Sequence, residues 1–471
     1  MPSFLKKFLE NIDLVIVALL ASVIRVLESL KTELWFDEAF TGVLMKLPFN
    51  EFLKTVSIEP HPPLFYAVTK TITLIFGVSD LSLRALPILF GVLSVVFVYL
   101  IVQRLFDRKA AAFSALIVAI SPFLVEYSVE ARPYSMYGFL FLLTFYFFLK
   151  KNAVGFVLSS VLFLSSHYLA FIYFSILGLY GIYELRNSIK KLFIMFVPGT
   201  LVGGYFTYNA YFNSTKSLNS SWISESSFFN IISSFYTYFI GVKAKMPGND
   251  ILNNVNIFGI NETVVAPILV ILFVLGLAAL IFKYRSEKEN LINFSMLISF
   301  FVIPQIILIL VGIFTKYDIY VERYLFPSGI MFGLFLGVLL YKLFSFELSA
   351  LALLAYVFVI MNIIPQNYHQ GLKEMQKAYS SSPYQIVMTS PIDYLPARYY
   401  FGENFTNKLK LYNPANPDET FFHWQFVPEN SKEIDFNSAS FVITEDSKIT
   451  ENMNFAGEYG NYKIYILKPN L

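Results

Sequence analysis

The sequence predicts a polytopic α-helical membrane protein ending in a small α/β domain. Three observations carry this. Only 14% of the residues are charged while 56% are hydrophobic and mean hydropathy is +0.59, where soluble chains carry about 25% charge. Apolar runs of about 17 residues or more recur over the first 364 positions, long enough to span a hydrocarbon core of about 30 Å. From residue 366 the chain turns polar and Pro-punctuated, with short β-rich runs.

Taken in order, the apolar runs are 12–30, 82–103, 110–125, 134–149, 153–167, 169–184, 191–211, 263–283, 291–314, 324–343 and 346–364, about eleven transmembrane helices. The first follows Lys6 and Lys7 but has no small-residue cleavage site before Glu28, so it reads as a retained helix rather than a signal peptide. Pro63 to Phe76 is apolar too, but it has fourteen residues and contains Lys70. A stretch that short is expected to be interfacial or re-entrant rather than spanning. Charge bias tests the choice. With the N-terminus cytoplasmic, Lys6/Lys7, Arg104/Arg108/Lys109, Lys150/Lys151, Arg186/Lys190/Lys191, Lys283/Arg285/Lys288 and Lys342 all face the cytoplasm. A twelfth span at 63–76 would throw most of them outside.

This topology makes the chain a multi-pass protein of the plasma (cytoplasmic) membrane. Loop 31–81, loop 126–133, a long polar loop 213–262 and segment 315–323 are extracytoplasmic, with a soluble domain 366–471 following the membrane domain 1–365. Strands are expected at Tyr384–Thr389, Lys408–Tyr412, Ala439–Thr444 and Tyr462–Leu467. Asn-x-Ser/Thr triplets at Asn213, Asn219, Asn261 and Asn404 fall on the outer side and support the topology weakly. The chain has no cysteine, which excludes disulfides, thiolate metal sites and a Cys nucleophile. A net charge of +2 without a basic stripe gives no sign of a nucleic-acid partner.

Residues able to do chemistry gather in the outer loops. Trp35-Phe36-Asp37-Glu38 places two carboxylates at the mouth of the first span. Charges there are costly near lipid unless they face water. A carboxylate held against aromatics suits a general base for a hydroxyl nucleophile; metal ligation, or a helix N-terminus before Ala39, are the alternatives. In His61-Pro62-Pro63 the prolines open the interfacial helix and hold His61 at its entrance, as a pocket residue or simply a stiff corner. The second outer loop carries Glu126, Glu130 and Arg132 before Tyr134. The two glutamates share a face if the turn is helical, and guanidinium is the preferred partner of phosphate oxygens. Arg323 and Tyr324, after Lys316, sit at lipid-headgroup depth as an anchor belt or a binding site. His167, in a tight outer turn, is a weaker candidate. An acidic base with outward arginines, and no nucleotide-binding Gly-rich loop, fits group transfer from a membrane-bound phosphate donor, with Arg132 and Arg323 stabilising the leaving phosphate.

The ordered set Trp-x-Asp-Glu, His61-Pro62-Pro63-Leu64-Phe65-Tyr66, Leu83-Arg84-Ala85-Leu86-Pro87, Arg104 to Lys109, Ser121-Pro122-Phe123, Glu130-Ala131-Arg132-Pro133-Tyr134 and Arg323-Tyr324-Leu325 resembles the GT-C superfamily of integral-membrane glycosyltransferases. Within it, the chain is similar to the family 39 protein mannosyltransferase and aminoarabinose transferase branch, over about residues 10–345. The resemblance implies inverting transfer of one sugar from a polyprenyl- or dolichyl-phosphate donor to a protein, lipid or glycan hydroxyl on the extracytoplasmic face. It places the catalytic aspartate on Asp37 with Glu38 beside it, and a donor-phosphate cation on Arg323. It also implies juxtamembrane helices in the first outer loop. The second-loop acid falls loosely on Glu130, where many members have Asp, so dependence on Mg or Mn stays open. The rival class is a transporter or flippase of a polyprenyl-linked sugar. Transporters put ionisable residues in broken helices near the midplane, often in repeated halves; here those residues gather in loops and no repeat is visible.

Overall fold

In a computed structural model the described residues are 11–59, 61–214, 223, 225–241, 262–315, 318–361, 371–379, 385–402, 408–411, 439–443, 453–460 and 462–467. Lys6, Lys7, Asn219, Asn261, Lys316 and Asn404 lie outside them. The chain forms two compact units: Met1–Glu28 with Glu59–Ala67 and Ala85–Ile364, and Ser29–Ile58 with Val68–Arg84 and Pro365–Leu471.

Among the described residues, the regular elements of the first unit are all helices. All eleven apolar runs fold as helix: α1 (Ile12–Ser29), α5 (Asp80–Leu105), α6 (Arg108–Ile120), α8 (Tyr134–Leu149), α9 (Ala153–Leu164), α10 (Ala170–Glu184), α11 (Ile189–Ser214), α13 (Glu262–Lys283), α14 (Lys288–Thr315), α15 (Phe326–Leu343) and α16 (Phe346–Met361). Five stretches are long and apolar enough to cross a bilayer by length and composition: 80–105, 189–209, 265–283, 288–315 and 322–343. This is a multi-pass membrane protein. The helices α8, α9, α10 and α16 are apolar but shorter. The expected span 110–125 breaks at Ser121, and Pro122 starts the short helix α7 (Pro122–Glu126), a first-turn position that suits proline because its missing N–H would be unpaired there anyway.

Caps fix the helix starts. Asp107 accepts from Ala110 N at 2.9 Å and Asn152 from Gly155 N at 3.0 Å, each worth about 1 kcal/mol. Helices α6 and α15 meet at Gly337, where an added Cβ would lie 2.4 Å from Ser114 Cα, and Ser114 Oγ donates to Leu334 O at 2.8 Å. Such small-residue contacts replace the hydrophobic drive that lipid cannot supply.

The loop 213–262 is not uniformly polar. It contains α12 (Phe229–Ile240), whose Phe235 ring lies 5.1 Å from Phe273, 5.1 Å from Phe301 and 5.6 Å from Phe332. Twelve residues with a Ser-Ser pair fall below the length at which hydropathy alone marks a span.

At one end of this bundle the basic residues pair with carboxylates and backbone carbonyls. Arg108 pairs with Asp13 at 2.8 Å, Lys342 with Asp107 at 2.7 Å and Lys151 with Glu184 at 3.0 Å. Lys283 also donates to Lys342 O, and Lys191 to Lys151 O.

The second unit joins helices α2 (Phe36–Lys46) and α3 (Phe49–Ile58) to the C-terminal tail; α4 (Leu64–Phe76) is the thirteen-residue helix expected at the interface. The tail has helices α17 (Leu372–Tyr379) and α18 (Pro391–Phe401) and strands β1 (Gln385–Met388), β2 (Leu409–Leu411), β3 (Ala439–Ile443), β4 (Met453–Tyr459) and β5 (Tyr462–Leu467). The sheet runs β2-β1-β3-β5-β4. β1 is parallel to β2 and β3, whereas β5 is antiparallel to β3 and β4. Helix α18 is the crossover that a parallel β1–β2 pair demands. Strand β4, without a clean apolar alternation, is the one the sequence missed.

Candidate active site

Four aromatic side chains from three separate loops meet in the first unit. His61 enters just before α4, where Ala67 N donates to Pro63 O at 2.9 Å and the two prolines open the helix as expected. His167 and Tyr168 form the turn between α9 and α10, and Tyr324 belongs to the 3-10 turn Glu322–Leu325. Every pair among them is in ring contact. His61 lies 5.2 Å from His167, 5.8 Å from Tyr168 and 6.2 Å from Tyr324. His167 stacks on Tyr168 at 4.6 Å and on Tyr137 at 4.6 Å, and the Tyr168–Tyr324 distance is 6.2 Å. Tyr134 extends the cluster, 6.2 Å from Tyr324 and 5.8 Å from Tyr127.

Both histidines are buried, while Tyr168 and Tyr324 are half-buried at the rim. His167 Nδ1 accepts Leu169 N at 3.2 Å, so the neutral ring carries its proton on Nε2. Among the described residues that Nε2 has no hydrogen-bond partner, nor has either nitrogen of His61. Buried polar atoms left so cost about 1–3 kcal/mol each, a cost tolerated chiefly where function needs them.

Two guanidiniums adjoin the rings. Buried Arg132 donates to Tyr66 OH at 3.3 Å, and the buried Arg323 guanidinium stands 5.7 Å from the Tyr324 ring centre. Burial first, then the charges of Arg132, His167 and Arg323, push the His61 pKa well below its ordinary value. Burial and Arg132 push His167 down to about 3. The histidines are therefore neutral hydrogen-bonding groups in a cationic field. His61, Arg132, Tyr134, His167, Arg323 and Tyr324 are thus brought together. The plain anchor-belt reading of Arg323 does not hold, because an anchor belt faces lipid.

Glu130 lies in the loop after α7. That helix stops at Glu126, so the two glutamates do not share the helical face their spacing suggested. Both act instead on Tyr127, whose hydroxyl burial and then these carboxylates push up. Among the described residues no group of three or more His, Asp or Glu side chains could hold a metal ion, and a hard divalent cation needs several oxygens together.

Asp37 and Glu38 sit in the second unit, in the first turn of α2, where carboxylates favour the positive end of the helix dipole. Asp37 is half-buried. Glu38 is buried and committed: its Oε1 accepts Arg84 Nε at 2.8 Å and its Oε2 accepts Arg84 Nη2 at 2.7 Å. Arg84 also donates to the carbonyls of Ser29, Thr32 and Glu33 at 2.7, 2.8 and 3.3 Å. Glu38 therefore holds the turn that presents Asp37. Arg84, quoted in the sequence only as part of the Leu83–Pro87 motif, is the residue that holds Glu38 in place.

Residues 60–207 match the family profile described as dolichyl-phosphate-mannose-protein mannosyltransferase. Among solved structures, the chain is similar to ArnT from Cupriavidus metallidurans in the apo state, with TM-score 0.59, 12% identity, and 96% of this chain and 97% of that chain covered. The same protein bound to undecaprenyl phosphate aligns with TM-score 0.56 and 13% identity over the same shares. The chain shares the fold of ArnT. The apo oligosaccharyltransferase of Archaeoglobus fulgidus aligns with TM-score 0.47 and 15% identity over 85% of this chain, which spans 64% of that protein's length. A search of curated proteins finds no match.

Proposed function

We propose that the protein is a polyprenyl-phosphate-sugar-dependent glycosyltransferase that moves one sugar to an acceptor hydroxyl on the extracytoplasmic face. The observation that carries this reading is the paired burial of Arg132 and Arg323 beside neutral His61 and His167. Two guanidiniums suit a phosphate, and neutral imidazoles suit hydroxyls. ArnT, of the same fold, binds undecaprenyl phosphate, and the matched profile is that of enzymes named for dolichyl-phosphate-mannose.

In this mechanism Asp37 takes the proton of the acceptor hydroxyl as its oxygen attacks the anomeric carbon. The new C–O bond forms opposite the bond to the phosphate, which breaks with inversion. The lipid phosphate keeps the electron pair, and Arg132 and Arg323 stabilise the charge that grows on it. Tyr324 and Tyr134 line the sugar, and His61 and His167 hydrogen-bond its hydroxyls. Asp37 is assigned from its carboxylate chemistry and from the resemblance of its motif. Purified protein incubated with labelled polyprenyl- and dolichyl-phosphate sugars is expected to consume at least one donor. Asp37→Asn is expected to lower turnover at least a hundredfold with donor binding kept. No consumption of any donor, with or without divalent cations, would end the reading.

A further inference from the structure

The second unit contains a closed chain of polar contacts between the first outer loop and the tail. The Glu33 carboxylate accepts Leu372 N at 2.8 Å and Lys373 N at 2.9 Å, at the start of α17, where the helix dipole favours an anion. The next residue, Leu34, donates its backbone N–H to Tyr400 OH at 2.7 Å. Tyr400 OH in turn donates to Asp80 at 3.0 Å, and Asp80 pairs with Lys373 Nζ at 2.7 Å. Lys373 thereby returns the circuit to Glu33.

Farther along α2 the tail takes hold again. Lys46 Nζ donates to Tyr399 O at 2.8 Å and stands 4.2 Å from the Tyr399 ring centre. That ring lies flush on Gly42, where an added Cβ would come within 2.5 Å of it. Adjacent residues of α18 therefore grip both ends of the eleven-residue helix that bears Asp37.

We propose that the C-terminal tail is the positioning element of Asp37, acting through Tyr400, Tyr399 and the Glu33 carboxylate. This rests on the transferase reading, and it gives the tail a task in the reaction. A hydroxyl that both receives Leu34 N–H and is anchored by Asp80 fixes the backbone three residues before Asp37. An ångström of misplacement at a reacting group can cost about a hundredfold in rate. Tyr400 and Glu33 touch no reacting atom; they act by where they hold the carboxylate.

The test uses full-length protein in lipid nanodiscs and whichever labelled polyprenyl- or dolichyl-phosphate sugar the wild type consumes. Tyr400→Phe and Glu33→Gln are each expected to lower kcat about tenfold, with KM for the donor within twofold and the thermal midpoint within about 3 °C. In an Asp37→Glu background, where the carboxylate is already displaced by one methylene, adding Tyr400→Phe is expected to cost less than threefold, because both changes act on the same group. Wild-type kcat in both single variants would overturn the inference while leaving the transferase reading intact. So would a full tenfold further loss in the Asp37→Glu background, which would mean a general loss of structure. Absence of transfer in the wild type fails the functional reading instead.

Discussion

Arg84 and Glu38 form an ion pair with side chains 3% and 2% exposed, and a buried pair behaves differently from a surface one. Removing one partner leaves an uncompensated charge, at a cost of about 3–5 kcal/mol, whereas replacing both with apolar groups is often neutral. Arg84→Met alone should therefore lower the unfolding midpoint sharply in detergent, and adding Glu38→Leu should restore only part of it, because the carbonyls of Ser29, Thr32 and Glu33 also lose their donor. The buried histidines make a second prediction. Unfolded histidine takes up its proton near pH 6.5, but folded His167 resists until about 3. The unfolded state thus binds more protons below pH 6.5, and stability is full above that value and falls as pH drops. The slope reaches about 1.4 kcal/mol per pH unit per histidine. Between pH 7 and 5 the wild type should lose about 2 kcal/mol more stability than His167→Phe, read from denaturation midpoints at each pH. Parts of this site were legible in the sequence because charge in an outer loop of an apolar chain needs a reason; Arg132, His61 and Arg323 all met that criterion. Glu33 and Tyr400 were not legible. Their partners lie 339 and 366 positions away, and no local pattern encodes so distant a contact.

Helices were the easiest elements to read, since lipid forces apolar residues onto nearly every face and leaves uninterrupted runs. The interfacial helix α4 followed from its length and from charge bias, and four of the five tail strands from β-branched and aromatic alternation. What failed was the short and the mixed: α12, with serines inside it, and β4, whose described side chains are mostly exposed. Ser234 in α12 is bonded to Tyr320 OH, which also donates to Gln305 at 2.9 Å. A polar interior of that kind reads as loop until its partners are seen. Packing between elements offers its own test. Gly337→Leu would drive a side chain into the Ser114 backbone, and rigid backbone cannot yield as a flexible side chain would. The expected cost is about 1–3 kcal/mol, visible as a lower thermal midpoint, while Gly204→Leu, with nothing within 4 Å of its Cβ, should change it little.

For the molecule as a whole, the basic residues set the orientation expected of it. The proposed sidedness puts Ser286 in the cytoplasm and Ser227 outside. Because the chain has no cysteine, single Cys substitutions can report this without background. Impermeant maleimide applied to intact cells should label Ser227→Cys and spare Ser286→Cys until the membrane is opened; the reverse pattern would refute the orientation. The bond from Leu34 to Tyr400 also bears on biogenesis. Ribosomes adding about 5–20 residues per second need roughly 20–70 s to travel between those two positions. If Asp37 is the proposed base and the tail its proposed brace, the nascent chain carries that carboxylate throughout the interval without the element that aims it. Fragments from early termination are then expected to turn over lipid-linked sugars far more slowly than the full-length chain.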